Sequence, residues 1–194
     1  HRLVVSDDRA SSRRALLTGT GAALAGGALV LAGCGSVAAG DKAVTNASAQ
    51  LRPQDIEILE RALELERRTV AAYIACIPLL TRPQRKAFRQ FLNEEFQHTG
   101  ELASLITAAG STPPPRADSY PIGHPTDGPA ALALIHSLEA LQISSYLDWI
   151  PRLSTGPVRA AVASILTVDA QHLTMCRVLQ GQDPVPGPFV TGSA

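Results

Sequence analysis

The chain has 194 residues, 17 basic and 17 acidic side chains, and 45% hydrophobic content, enough for one globular domain with a sizeable core. Zero formal net charge, with no Lys/Arg cluster interleaved with aromatics, argues against a nucleic-acid binder. Three cysteines (Cys34, Cys76, Cys176) without CxxC spacing give no zinc-ribbon or thioredoxin-like motif.

Residues 1–34 read as an address. Arg13-Arg14 precede an uncharged Gly/Ala-rich stretch from Ala15 to Cys34, which resembles a bacterial twin-arginine export signal. The stretch ends in Leu31-Ala32-Gly33-Cys34, which looks like a lipoprotein processing box. Signals of that kind are cut before the cysteine, which then carries the lipid. The competing reading is an uncleaved membrane span, since about 20 apolar residues can cross a bilayer. The glycines and threonines within the stretch weigh against it. The expected mature protein is lipid-anchored through Cys34 on the extracytoplasmic side of the membrane. Residues 35–52 are small, polar and aperiodic, as suits a flexible tether.

A helical period begins at Pro53. Leu59, Leu63, Glu66, Val70, Tyr73 and Ile77 follow the 4-3-4 spacing of one bundle seam. After Thr81-Arg82-Pro83 a second seam carries Phe91, Glu95, His98, Leu102 and Leu105, and Gly110 stops it. Residues 110–129 are too Pro-rich for a regular element and too long for a simple hairpin, but fit a crossover along a bundle. A third helix carries Leu132, Ile135, Glu139, Gln142, Tyr146 and Trp149, ending about Pro151. A fourth carries Val158, Val162, Ile165, Asp169, His172, Cys176 and Leu179. The expected class is all-α, a four-helix bundle over residues 53–180 with a long crossover between helices two and three. A Pro/Gly-rich tail over residues 181–194 should pack as an irregular arm.

Each seam places an acid where an apolar residue is due: Glu66, Glu95, Glu139 and Asp169. Helices two and four add His98 and His172, each three residues after the acid and about 60° around the same face. The seams contain no Lys or Arg, whereas Glu60, Glu64, Arg67, Arg68, Glu94 and Glu101 fall off them and read as solvated. Four converging carboxylates without a basic partner are strongly unfavourable in a dry core unless protonated or neutralised. Two divalent cations would balance them, with the imidazoles bound neutral. A wet, half-exposed seam is the plainer alternative. Chance is hard to sustain because the pattern repeats: E-x6-Y followed by [E/D]-x-x-H occurs twice, at a spacing of 73–74 residues.

One Glu from each of two helices, with Glu-x-x-His from each of the other two, is the pattern of dinuclear carboxylate bundles. On these residues the chain resembles the ferritin-like superfamily over 53–180, and within it exported bacterial ferritin-like proteins, a likeness that includes its own ending QHLTMCRVLQGQDPVPGPFVTG, where a Gln-His helix runs into a Pro-rich, Phe-containing tail. The resemblance implies an antiparallel ferritin-like bundle. In it Glu66 and Glu139 are terminal or bridging ligands, and Glu95 with His98 and Asp169 with His172 complete two metal positions. Tyr73 and Tyr146 match tyrosines that back the ligands, with plain core packing as the alternative for each. Asp169 stands where the superfamily has Glu, one methylene longer. It either ligates with a longer metal–metal distance or a bridging water, or leaves the second position weak. His136, off the seam, is a supporting or surface residue, and His124 is assigned no role. With helices one and four parallel, Cys76 lies roughly 9 Å further along the axis than Cys176, beyond comfortable disulfide reach. A free pair is expected.

Mixed carboxylate–imidazole sites suit iron, and also manganese, better than structural zinc. The resemblance implies a membrane-anchored di-iron or di-manganese protein of oxidase or peroxidase type, with dioxygen or peroxide as small-molecule partner. It leaves a homodimer open. The alternative is a non-enzymatic envelope binding or interaction module that keeps the fold with a structural metal or none.

Overall fold

Each long helix begins with a proline in its first turn, where the missing N–H has no intrahelical acceptor to satisfy. Pro53 opens α1 (Pro53–Cys76), Pro83 α2 (Arg82–Ala108), Pro129 α3 (Gly128–Trp149) and Pro157 α4 (Gly156–Leu179). The computed structural model describes residues 51–192. Arg13, Arg14, Cys34 and the tether up to residue 50 lie outside them. Leu51, which composition assigns to the tether, packs against the core, and the Arg52 backbone N–H donates to Asp55 Oδ2 at 2.8 Å.

α1 stops at Cys76, one residue short of the end of its seam, and tightens into a 3₁₀ turn over Ile77–Leu79. Pro78 has no N–H to bond the carbonyl four residues back. Pro151 acts likewise after α3, in the turn Ile150–Arg152. The repeated unit is therefore longer than the ligand motif, because Tyr73 and Tyr146 are each followed by x3-Ile-Pro. α2 ends in the left-handed turn of Gly110 (φ 82°), which lets Ser111 N donate to Ile106 O at 3.1 Å.

Among the described residues the architecture is the expected all-α four-helix bundle with a long connection between α2 and α3. Two apolar clusters flank a central polar layer. One joins Ile58, Leu59 and Leu63 of α1 to Val158 and Val162 of α4, and to Leu102 and Ile106 near the end of α2. The other joins Tyr73 and Cys76 to Cys176, and to Phe88 and Ile135 from the early parts of α2 and α3. Thus α1 and α4 run parallel, and α2 and α3 run against them. No helix of the described residues is long and apolar enough to cross a membrane.

The α2–α3 crossover is pinned by a residue expected to be solvated. Arg67 reaches from α1 to donate to Pro114 O at 2.8 Å and Pro115 O at 3.2 Å, carbonyls left without partners by the irregular backbone. The tail returns along α3, where Gly192 (φ 67°) lies so close that a Cβ would sit 2.5 Å from Ala140 O.

Candidate metal centre

The polar layer holds all six residues singled out by the seams. α1 contributes Glu66, α2 Glu95 and His98, α3 Glu139, and α4 Asp169 and His172. The four acids are fully buried, and His98 and His172 are 7% and 1% exposed, so the half-exposed seam is not what forms. Their ligand-type atoms make two groups, Glu66/Glu95/His98/Asp169 and Glu95/Glu139/Asp169/His172, each with its atoms within 4.8 Å of one another. Glu95 and Asp169 belong to both groups, so they are shared rather than assigned one to each histidine. Asp169, although a methylene shorter than Glu, reaches both. His98 Nδ1 lies 3.4 Å from Asp169 Oδ1 and 3.6 Å from Glu66 Oε2; His172 Nδ1 lies 3.1 Å from Glu95 Oε1 and 3.4 Å from Glu139 Oε1.

The two tyrosines do more than fill space. Tyr73 of α1 donates to Glu139 of α3, and Tyr146 of α3 donates to Glu66 of α1. Helical side chains lean toward their own N-terminus. Glu66 therefore leans away from Tyr73 two turns later, whereas a carboxylate on the antiparallel neighbour leans toward it. Between these pairs Thr69 Oγ1 donates to Gln142 Oε1 at 2.9 Å, and Gln142 Nε2 donates to Glu95 Oε2 at 3.3 Å.

Glu94 corrects the sequence reading. It is not a purely solvated residue: its Oε2 lies 2.8 Å from His172 Nε2, which leaves Nδ1 turned toward the acids. Adjacent to Glu95, it falls outside the seam spacing, and only the packing of α2 against α4 brings it round. Phe91 stacks on the same imidazole with ring centroids 4.2 Å apart. His136 is buried, 5% exposed, but belongs to neither group, and His124 is exposed. Cys76 and Cys176 are free and buried in one apolar cluster. Burial pushes the Cys76 thiol up to about 11, and burial together with Glu139 raises Cys176.

The acids and imidazoles of the layer shift one another's protonation. Burial, then the charges of Glu66 and Glu139, holds Glu95 well above the ordinary carboxyl range, and burial with Glu66, Glu95 and Glu139 does the same to Asp169. Burial also opposes ionisation of Glu66, but the His98 imidazole 3.6 Å away and the hydrogen bond from Tyr146 favour the carboxylate and hold Glu66 low. Burial works against the His172 cation, yet Glu139 and Glu95 raise it to about 10. Burial and the neighbouring carboxylates push both phenols far up, so they serve as neutral donors.

The sequence matches the ferritin-like domain family over residues 54–182. The chain belongs to the ferritin-like domain family. No curated protein matches it. Among solved structures it resembles a conserved hypothetical protein, rv2844, from Mycobacterium tuberculosis, at 20% identity and a TM-score of 0.64. That match covers 70% of this chain and 96% of that one, and it speaks for the fold.

The residues of this ferritin-like domain fit a cation. Glu66 Oε2, His98 Nδ1, Glu139 Oε2 and both Asp169 oxygens are buried without hydrogen-bond partners. Orphaned buried acceptors are costly, and here they converge on one layer in which no Lys or Arg pairs with an acid.

Proposed function

We propose that this ferritin-like domain holds two divalent cations, iron first and manganese second, and works on dioxygen or peroxide. The observation that carries this reading is the convergence of buried, unpartnered acceptor atoms from all four helices. Glu66 with His98 and Glu139 with His172 would hold the outer sides of the two positions, and Glu95 and Asp169 would serve both. Bound iron or manganese supplies redox chemistry at such a site. The chain's own contribution is to hold carboxylates and imidazoles in a dry layer, orient Glu66 and Glu139 through the phenols, and fix His172 through Glu94. A cavity of about 300 Å³ between α2 and α4, lined by Gln97, His98, Glu101 and Ser164, reaches His98 from the surface and suits entry of a small oxidant.

The address motifs support export and a lipid anchor at Cys34, with no bearing on the site itself. Mass spectrometry of mature protein should find a chain beginning at lipid-bearing Cys34, and an intact N-terminus would refute the anchor. For the centre, metal analysis should find about two Fe or Mn per chain, lost in Glu95→Ala and His172→Ala. A metal-free wild type after folding in excess Fe(II) or Mn(II) would overturn the reading. Consumption of dioxygen or peroxide by the loaded protein separates an oxidoreductase from an envelope binding module.

A further inference from the structure

A second cavity, of about 470 Å³, opens between α1 and α3 beneath the crossover and lies within the size range of small-molecule sites. Arg61, Leu65 and Arg68 form one wall, Leu141 and Trp149 the other, and Tyr120 of the crossover covers part of it. Its chemistry is unlike that of the metal layer. Five other arginines, Arg52, Arg67, Arg85, Arg152 and Arg159, each donate to an identified acceptor. Arg61 and Arg68 make no hydrogen bond or ion pair among the described residues, and Arg68 Nε is buried with no acceptor. The Arg68 guanidinium thus faces the groove with no acid or carbonyl to meet its charge, and a carboxylate or sulfonate supplies paired, charge-assisted hydrogen bonds to it.

We infer that this groove binds an organic monoanion with a flat or aliphatic body, its charged head on Arg68 and its apolar part against Trp149, Tyr120 and Leu141. The third charged group on the lining, Glu64, leaves the groove one net positive charge, which matches a monoanion better than a polyphosphate. Arg61 lies two turns before Arg68 on α1, roughly 10 Å along the axis, so it meets the ligand's far end or its approach rather than the same head group. Trp149 stands edge-on to Tyr146 at 5.9 Å, so the groove is one ring away from a side chain that supports the metal layer.

Trp149 is the single tryptophan of the chain, so its emission reports on this groove alone. The probe pair is 8-anilinonaphthalene-1-sulfonate and N-phenyl-1-naphthylamine, which share their rings and differ in the anionic group. The sulfonate should accept energy from Trp149 saturably at one site per chain, and raised salt should weaken it. Arg68→Gln should weaken it about tenfold, and the uncharged amine should bind at least about tenfold more weakly, as loss of one charge-assisted contact requires. Metal content should be unchanged in Arg68→Gln, which keeps this test separate from that of the metal centre. Equal binding of the two probes, no saturable transfer, or an unaltered affinity in a folded Arg68→Gln would each overturn the inference. Should Arg68→Gln fail to fold, the exposed Arg61→Gln carries the same comparison, with about a threefold loss expected and no loss overturning it.

Discussion

Tyr146 on α3 donates its phenolic hydrogen to Glu66 on α1, across the bundle rather than along its own helix. Tyr146→Phe keeps the ring and removes the donor, leaving a carboxylate oxygen buried without a partner. The expected cost is about 1–3 kcal/mol in urea denaturation of the metal-free protein. Metal affinity should fall about 10–100-fold in competition titrations, because the orientation of Glu66 is no longer fixed. Wild-type values in both assays would mean the phenol only packs.

Neutral isosteres separate the acids by their role. Burial and like charge favour the protonated forms of Glu95 and Asp169, so Glu95→Gln and Asp169→Asn should change metal-free stability by less than about 1 kcal/mol, or raise it. Both should abolish binding of the shared cation pair. Glu66→Gln should behave differently, because Glu66 is held ionised beside His98 and its neutralisation forfeits that pairing. Thermal melts in chelator alongside metal stoichiometry make the comparison, and parallel losses of stability in all three variants would contradict it.

The metal-free domain should lose stability as pH rises. Glu95, Asp169 and His172 all have folded pKa values above their ordinary ones, so the native state holds their protons more tightly than the unfolded chain does. The resulting stabilisation is complete below the unfolded pKa values and drains above them. The loss begins near pH 4 for the two carboxyls and runs from about 6.5 to about 10 for His172. Glu66, Glu94 and Asp55 are depressed and act in the opposite sense, losing their contribution as pH falls below about 4, and the depressed His136 loses its own as pH falls below about 6.5. The Tm in chelator should therefore decline from about pH 6.5 toward pH 9, where every shift that still changes with pH acts against the fold. Excess divalent cation should flatten or reverse that decline, because it competes with protons for the same atoms. A Tm rising steadily from pH 5 to 9 in chelator would be incompatible with this distribution of protons.

Glu94→Gln tests the outer contact of His172. The amide can still meet Nε2 but carries no charge, so the imidazole loses its ionic partner and becomes a weaker donor toward the layer. An affinity loss of about tenfold is expected at the position served by His172, with the fold unaffected. Glu57→Gln, exposed on α1 and in neither ligand-type group, is the control and should leave affinity unchanged.

Much of this centre was legible because its residues break a pattern. A seam that asks for Leu and supplies Glu66, Glu95, Glu139 or Asp169 marks a polar layer, and the histidines three residues on mark its floor. The seams also located the four helices to within a residue or two, and the run of prolines located the long crossover. What they could not convey depends on neighbours rather than period. Glu94 meets His172 through packing between helices distant in sequence, Arg67 meets carbonyls 47 and 48 residues away, and Tyr73 selects Glu139 over Glu66 because two helices run antiparallel. Likewise Arg68 reads as solvent-facing in one dimension, although its Nε is buried in the folded chain.

The repeated helical hairpin carries a last consequence, concerning symmetry. Thr69 and Gln142 hold equivalent places in the two halves, three residues after Glu66 and Glu139. Gln142 reaches Glu95, while Thr69 spends its proton on Gln142, and both oxygens of Asp169 stay bare. Two separate identical hairpins would have to accept every substitution twice, once on each side of the axis. Joined in one chain, they accept it once. A shorter acid on one half and an amide donor on the other are changes that a covalently linked pair can keep unequal, and they give the two ligand-type groups of the layer different chemical surroundings within one frame.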